Sequence, residues 1–306
     1  MSHPGIDMVR SLLQESGFDS GTIEERRASM ERALASAAPP AGVTVRPEEL
    51  GGRPAEWIAP EGGRPDVVVL YLHGGGYCIG SLGTHRDLAA RIAVAAGVTV
   101  VTLDYRLAPE HPFPAALDDA CAAYAELLER GFGPGSVAVV GDSAGGGLTV
   151  ATALALGDRG LGAPAALACL SPWVDLTQTA DSYAQRAGVD PMVTRSGLDE
   201  MAAAYLAGAD ARDELASPVF SARLGALPPV TVHVGSDEVL FDDAMTLVEG
   251  IRAAGGSATV TVWPDLVHVF QAFPTALVPE SDLSIAAIAA HLSEHFPPAP
   301  GRHPTG

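Results

Sequence analysis

The sequence predicts an α/β fold in which helices cover both faces of a doubly wound, mostly parallel sheet. From Val67 onward, apolar runs alternate strictly with helical stretches, and the runs at 67–72, 137–140 and 165–170 are continuous rather than interrupted by polar residues. A continuous apolar strand is buried on both faces, as in a parallel sheet flanked by helices. Strands are expected at 67–72, 98–103, 137–140, 165–170, 230–234 and 258–263. Helices are expected at about 85–96, 115–130, 144–157, 239–254 and 281–295.

Two parts of the chain lie outside this alternation. Residues 1–40 are predicted to be helical, because Thr22–Glu25 matches a capping box, and two short strands are expected to follow at 43–46 and 56–59. No strand pattern occurs between Asp175 and Pro218, where Ser196–Asp199 opens a helix. Ligands bind at the carboxyl edge of such sheets, so both parts are predicted to form a helical cap there. The expected divisions are 1–40 and 178–212 for the cap, 41–177 and 213–296 for the sheet domain, and 297–306 for a disordered tail.

Composition excludes several classes of protein. The 306 residues include 18 Lys and Arg against 37 Asp and Glu, a net charge of −19, which argues against binding to nucleic acid or anionic membranes. The three cysteines, Cys78, Cys121 and Cys169, lack paired spacing, so neither a disulfide framework nor a zinc site is expected. Neither a signal peptide nor an apolar run of ~20 residues is visible. We therefore expect a cytoplasmic protein without a metal.

A serine between a strand and a helix marks the central motif. Ser143 follows the apolar run Val137–Val140, precedes a small, apolar helical stretch, and is flanked by Gly141 and Gly145. This pattern is typical of a nucleophile elbow, whose tight turn leaves no room for neighbouring side chains. With 34 glycines in the chain, the pentapeptide is expected about 0.2 times by chance. A glycine-rich turn with an idle serine is therefore the alternative unless partner residues follow.

The first partner is a glycine loop. His73–Gly76 directly follows the strand expected at 67–72, and its chance expectation is only about 0.01. Consecutive glycines leave backbone N–H groups unshielded, and such groups can bind a developing oxyanion. The predicted donors are the N–H groups of Gly75, Gly76 and Ala144, the residue after the serine. His73 is predicted to orient this loop rather than to act as a base.

A base and an acid are expected later in the chain. His268 lies in a loop after the last strand, whereas the other candidate histidines lie in a strand (His233) or on the last helix (His291 and His295). Asp237 comes just past the strand at 230–234 and is predicted to hold the His268 imidazole in one tautomer. Three nearby carboxylates compete with it: Glu238, Asp242 and Asp243.

Together these motifs make the chain resemble the hormone-sensitive-lipase-like carboxylesterases (bacterial family IV) of the α/β-hydrolase superfamily. The resemblance covers roughly residues 40–296 and is carried by His73–Gly76, Asp104–Ala115, Gly141–Gly146 and His268–Phe270. It implies an eight-stranded mixed sheet, a Ser143–Asp237–His268 triad, a cap, no cofactor and a homodimer. The family usually has the sequence Asp-Pro-Leu at the acid, whereas this chain has a different sequence over Ser236–Asp243. That variant is similar to the sequences of a branch of the family that contains lactone hydrolases and small-acyl acetyl hydrolases.

The expected function is that of a serine hydrolase that cleaves small carboxylic esters with short acyl groups through an acyl-enzyme. The alternatives are an ε-lactone type of lactone hydrolase, a small-acyl acetyl hydrolase, an amidase and a non-catalytic small-molecule-binding protein of the same fold. Each residue proposed for substrate contact could as easily be ordinary core; these residues are Phe18, Tyr77, Met192, Tyr205 and Leu206.

Overall fold

The computed structural model describes residues 4–16, 20–35 and 39–299. These described residues form eight strands: β1 (Val43–Leu50), β2 (Arg53–Pro60), β3 (Arg64–Leu72), β4 (Val98–Leu103), β5 (Val137–Asp142), β6 (Leu167–Leu170), β7 (Val230–Gly235) and β8 (Ala258–Trp263). The α-helices of the described residues are α1 (Pro4–Ser16), α2 (Ile23–Leu34), α3 (Leu82–Ala96), α4 (Ala115–Glu129), α5 (Ala144–Asp158), α6 (Ser182–Gln185), α7 (Arg195–Leu206), α8 (Phe241–Ala253) and α9 (Glu280–His295).

All eight strands form one sheet in the order β1-β2-β4-β3-β5-β6-β7-β8. β1 and β2 pair antiparallel, β2 and β4 pair antiparallel, and every other pair is parallel. The predicted mostly parallel, eight-stranded sheet is therefore confirmed. β3 pairs directly with β5, and in this pairing Leu72 lies beside Gly141 at the ends of the two strands. Because parallel strands end at the same edge, the glycine loop and the serine turn begin side by side.

The core explains why the strands read as continuous apolar runs. Along β3, Val68, Leu70 and Leu72 belong to one hydrophobic cluster, whereas Val67, Val69 and Tyr71 belong to a second one. Successive side chains of a strand point to opposite faces, so both faces of β3 are covered. The edge strand β8 departs from this pattern, because several of its side chains are exposed.

Strand bounds match the predictions at β4 and β8, whereas β1 and β2 are longer than expected. They continue to a tight turn at Gly51 and Gly52, both of which have positive φ. The residues that lead into this turn are mostly polar, so the apolar pattern does not show that the two strands of the hairpin continue through them.

The N-terminal helices and the insertion after β6 contact each other and the loops at the strand ends. The capping box between Thr22 and Glu25 is present at the start of α2. Arg26 of α2 pairs with Glu200 of α7 at 2.8 Å. Within the described part of residues 175–218 there is no strand, as predicted. The end of α2 expected near position 37 falls at Leu34, and positions 36–38 lie outside the described residues.

α1 packs against the loop that follows β8. Its Ile6 and Val9 share a small hydrophobic cluster with Leu266 and Val267. At the other end of the chain, the Pro297 carbonyl accepts a hydrogen bond from Arg64, so the segment expected to be disordered begins in contact with β3. Positions 300–306 lie outside the described residues. No described helix is both long and apolar enough to cross a bilayer.

Candidate active site

Ser143 occupies the sharp turn between β5 and α5. Its backbone has φ +53° and ψ −123°, a conformation that L-residues rarely adopt. A Cβ on Gly145 would lie 2.0 Å from the Leu72 carbonyl oxygen, and one on Gly141 would lie 2.2 Å from the Gly145 carbonyl oxygen. The two glycines of the motif are therefore required by close backbone approach, which is the arrangement expected of a nucleophile elbow.

The glycine loop after β3 lies against this elbow. A Cβ on Gly74 would lie only 3.0 Å from the Ser143 Cβ. Gly75 and Gly76 have φ of +111° and +59°, which favours glycine at both positions. Across the described chain, the N–H groups of Gly75, Gly76 and Ala144 donate to no other residue. Three backbone donors without an acceptor among the described residues thus lie in the serine turn and the adjoining glycine loop.

Asp142 joins the elbow to the glycine loop. This buried carboxylate accepts hydrogen bonds from the Tyr71 hydroxyl at 2.6 Å and from the Gly74 N–H at 3.0 Å. Nε2 of His85 lies 3.5 Å from its second oxygen. Burial alone would raise the pKa of Asp142, but His85 and the hydrogen bonds lower it below its ordinary value. The carboxylate is therefore charged and fixes the loop beside Ser143.

His268 lies buried in the loop after β8, with Nδ1 2.8 Å from Oε2 of Glu238. When the Glu238 carboxylate accepts the Nδ1 hydrogen in this pair, Nε2 of the neutral ring is the acceptor. Burial would lower the pKa of His268, but the hydrogen bond to Glu238 and the charges of Glu238, Asp190 and Asp142 outweigh burial and raise that pKa. The imidazole is therefore a stronger base than an ordinary histidine.

The prediction of Asp237 as the acid that holds His268 is wrong. The Asp237 side chain is 24% exposed and accepts hydrogen bonds from Arg10 of α1 at 2.5 Å and from the Ser236 hydroxyl. Glu238 is 0% exposed, and its Oε1 accepts the Gly235 N–H at 2.5 Å. That bond turns the longer glutamate side chain back under the end of β7, toward His268, while the neighbouring aspartate faces outward.

The other two competing carboxylates have different partners. Asp243 is buried and accepts the N–H groups of Val174 and Asp175 as well as the Tyr183 hydroxyl. Burial raises the pKa of Asp243 to about 7. Asp242 accepts the N–H of Ser182. Both therefore hold the insertion after β6 against α8.

Sequence reasoning missed two further polar residues near Glu238. The Ser171 hydroxyl donates to Oε1 of Glu238 at 2.7 Å and accepts the Val269 N–H at 3.1 Å. Asp190, from the insertion, accepts the Val239 N–H at 2.9 Å. Ser171 could have been noticed because it directly follows β6, between the strands that carry the serine and the acid. Asp190 has no comparable signal in the sequence.

A chain of hydrogen bonds connects the serine to the histidine loop. The Ser143 N–H donates to the Leu170 carbonyl at 2.8 Å, and Ser171 follows Leu170 directly. The Ser171 hydroxyl in turn accepts from Val269, the residue after His268. The structure thus brings the predicted serine and histidine to the same edge of the sheet.

Two other histidines considered from the sequence, His73 and His233, are buried away from the Glu238–His268 pair. His73 is buried in the glycine loop with Nδ1 2.8 Å from the Gly74 carbonyl oxygen. Burial, followed by the neighbouring His85, lowers the pKa of His73 to about 3. His233 lies buried in β7, where burial lowers its pKa to about 4. Both side chains are therefore neutral parts of the packed structure near neutral pH.

Of the residues predicted to contact substrate, two pack directly together. Tyr77, just after the glycine loop, and Tyr205 of α7 stack at 3.8 Å between ring centroids. Met192 is half-buried beside Asp190, which accepts its N–H. Leu206 packs against the main core cluster. Phe18 lies outside the described residues.

One neighbour of the glycine loop was missed. A Cβ on Gly76 would lie 2.0 Å from the sulfur of Met201, so this α7 side chain directly covers the loop. An apolar side chain of α7 therefore lies directly against the loop that carries two of the predicted oxyanion donors.

Comparison with known proteins agrees with this architecture. A family profile described as the alpha/beta hydrolase fold matches residues 69–272. An acetyl-hydrolase of Streptomyces hygroscopicus is 41% identical over 299 residues, 95% of this chain and 97% of the relative. An esterase of Acinetobacter venetianus is 34% identical over 248 residues, 81% of each chain. The crystal structure of an esterase from the bacterial hormone-sensitive lipase family superposes with a TM-score of 0.93 at 43% identity, covering 97% of this chain and 100% of that one. The chain therefore belongs to the hormone-sensitive-lipase-like carboxylic ester hydrolases of the α/β-hydrolase fold.

Proposed function

We propose that the chain hydrolyses small carboxylic esters through an acyl-enzyme on Ser143, with His268 as the base and Glu238 as its acidic partner. The observation that carries this assignment is the buried 2.8 Å pair between Glu238 and His268, tied by Ser171 to the turn that bears Ser143. Acyl transfer to serine requires a nucleophile, a base with an acidic partner and oxyanion donors, and these residue types at one edge of the sheet support the proposal.

The reaction proceeds in two halves. Nε2 of His268 takes the Ser143 proton as the serine oxygen attacks the ester carbonyl, and the oxyanion accepts from the N–H groups of Gly75, Gly76 and Ala144. Glu238 stabilises the imidazolium, which then gives its proton to the departing alkoxide. Water replaces the alcohol, loses a proton to His268 and attacks the acyl-enzyme. Collapse of the second tetrahedral intermediate returns the proton to Ser143 and releases the acid.

The acyl group is proposed to be short. Met201 and the stacked pair of Tyr77 and Tyr205 fill the space beside the glycine loop, and a relative named as an acetyl-hydrolase supports a small acyl group. The cap is proposed to comprise α1, α2 and the 178–212 insertion. A lactone presents the same carbonyl as an open ester, so lactone hydrolysis is the second candidate.

The test is hydrolysis of p-nitrophenyl esters from acetate to palmitate, run beside Ser143→Ala, with ε-caprolactone followed by a pH indicator. Turnover that peaks at short chains and disappears in Ser143→Ala supports the proposal. Faster turnover of the lactone would move the assignment to a lactone hydrolase. Turnover that survives Ser143→Ala would contradict the serine mechanism, and no turnover on any substrate would favour the non-catalytic alternative.

A further inference from the structure

Ser171 lies wholly buried immediately after β6, with a backbone φ of +48°. Its hydroxyl makes two hydrogen bonds, one to a side chain and one to the backbone. It donates to Oε1 of Glu238 at 2.7 Å and accepts the Val269 N–H at 3.1 Å. A single oxygen therefore links the acid to the backbone that follows His268.

The two oxygens of Glu238 have separate partners. Oε1 receives the Ser171 hydroxyl and the Gly235 N–H, whereas Oε2 faces Nδ1 of His268. Two donors on one oxygen fix the rotation of the carboxylate about its last bond. Without the hydroxyl, Oε1 would keep a single donor, and the carboxylate could rotate away from the imidazole.

The position of Ser171 is itself fixed by the sheet. Its N–H donates to the His233 carbonyl at 2.7 Å, while the preceding Leu170 carbonyl accepts the Ser143 N–H. The residue is thus anchored to the strand that leads to the acid and to the turn that bears the nucleophile. Its positive φ is costly for any residue with a Cβ. Glycine would relieve that cost, but it would lack the hydroxyl.

We propose that Ser171 is a positioning residue of the hydrolytic reaction, which acts by holding Glu238 and the His268 loop in the geometry for proton transfer. This inference rests on the roles proposed above for Glu238 and His268. Ser171 has no contact with the reacting atoms in this role. Its loss should therefore lower kcat while KM changes little.

The first experiment compares Ser171→Ala with Ser284→Ala. Ser284 is an equally buried serine whose hydroxyl also makes two hydrogen bonds, to Gln271 and to His233. Loss of a hydrogen bond to a charged group predicts a fall in kcat of about 10- to 100-fold for Ser171→Ala, with KM within about threefold. Ser284→Ala should lower Tm and leave kcat unchanged. Equal kcat values in the two variants would overturn the proposal.

Ser171→Gly separates positioning from folding. It removes the same hydroxyl while relieving the positive φ, so its Tm should lie above that of Ser171→Ala. Its kcat should nevertheless be as low as that of the alanine variant. Recovery of kcat together with Tm would show that Ser171 acts only through stability, and would contradict the proposal.

A double-mutant cycle identifies the partner. In a Glu238→Gln background, Ser171→Ala should lower kcat by no more than about twofold further, because the carboxylate that the serine positions is already gone. Full additivity of the two losses would overturn the inference. A nearly full kcat in Glu238→Gln alone would instead remove the proposed role of Glu238, and with it this inference. A large loss in Glu238→Gln with an active Ser171→Ala would remove the role of Ser171 only.

Discussion

Oε2 of Glu238 lies 2.8 Å from Nδ1 of His268, while the adjacent Asp237 forms an ion pair with Arg10. Replacing each of these two neighbouring carboxylates by its amide therefore tests which of them assists His268. Glu238→Gln should lower kcat by about 10²–10⁴-fold, because an amide no longer stabilises the imidazolium and can favour the wrong tautomer. Asp237→Asn should keep kcat within about threefold. Steady-state hydrolysis of p-nitrophenyl acetate measures both, and the reverse ranking would restore Asp237 as the acid.

The oxyanion donors can be tested with two glycines of similar conformation. Gly76 and Gly97 have φ of +59° and +63°, so alanine is strained at both. A Cβ on Gly76 meets the Met201 sulfur at 2.0 Å, whereas one on Gly97 meets nothing within 4 Å. Gly76→Ala should displace its N–H and lower kcat by about 10²–10³-fold.

The control, Gly97→Ala at the end of α3, should lose about 1 kcal/mol of stability and keep its kcat. Kinetics and thermal unfolding of both variants decide the matter. A Gly76→Ala variant as active as Gly97→Ala would contradict the assignment of the Gly76 N–H to the oxyanion hole.

The raised pKa of His268 predicts a pH dependence of activity. The imidazole must be neutral to accept the serine proton, so kcat/KM should fall as the pH drops through a midpoint above 6.5. The charge of Asp190 contributes to the raised pKa, so Asp190→Asn should move this midpoint to lower pH. Asp199→Asn, at an aspartate on α7 that is 60% exposed, serves as the control. An unchanged or higher midpoint in Asp190→Asn would contradict the prediction.

His233 predicts a loss of stability in acid. Trp263 Nε1 donates to Nδ1 of His233 at 3.2 Å, so this nitrogen must be unprotonated in the folded state. The pKa of about 4 in the folded protein lies below the ordinary 6.5, so the unfolded chain binds more protons between these values. Stability from this site is complete above pH 6.5 and falls by about 3 kcal/mol as the pH drops to 4.

The measurement is Tm against pH for the parent protein, for His233→Asn and for His111→Asn. The first variant keeps an acceptor for Trp263 but cannot titrate, so its Tm should depend less steeply on pH between 4 and 6.5. His111 is an exposed histidine, and its replacement should leave the slope unchanged. An unchanged slope in His233→Asn would contradict the assignment.

Most of the architecture was predictable because burial leaves a local pattern. The buried strand β4 begins and ends where its mainly apolar segment does, and the glycines around Ser143 mark the elbow within a few residues. The serine and the histidine were also placed at one edge of the sheet, since each follows a parallel strand. Each of these features is determined by residues that are close together in the sequence, so a local pattern is enough to predict it.

The acid could not be chosen in this way. Asp237 and Glu238 both follow β7, and their directions are set by contacts with Arg10, 227 positions away, and with the N–H of Gly235. Ser171 was missed because its role depends on where three strands end. The homodimer and the cytoplasmic location expected from the sequence stay predictions.

The strained backbone at Ser143 lowers the stability of the folded protein. Its φ of +53° is unfavourable for any residue that carries a Cβ, by about 1–3 kcal/mol. Ser143→Gly and Ser143→Ala both lack the hydroxyl, yet the glycine variant should have the higher Tm, because the relieved strain exceeds its extra unfolded-state entropy of about 0.4–1 kcal/mol. Equal Tm values would mean that the turn is relaxed. A chain selected for stability alone would carry glycine at position 143, so the strained serine there is what the proposed nucleophilic role predicts.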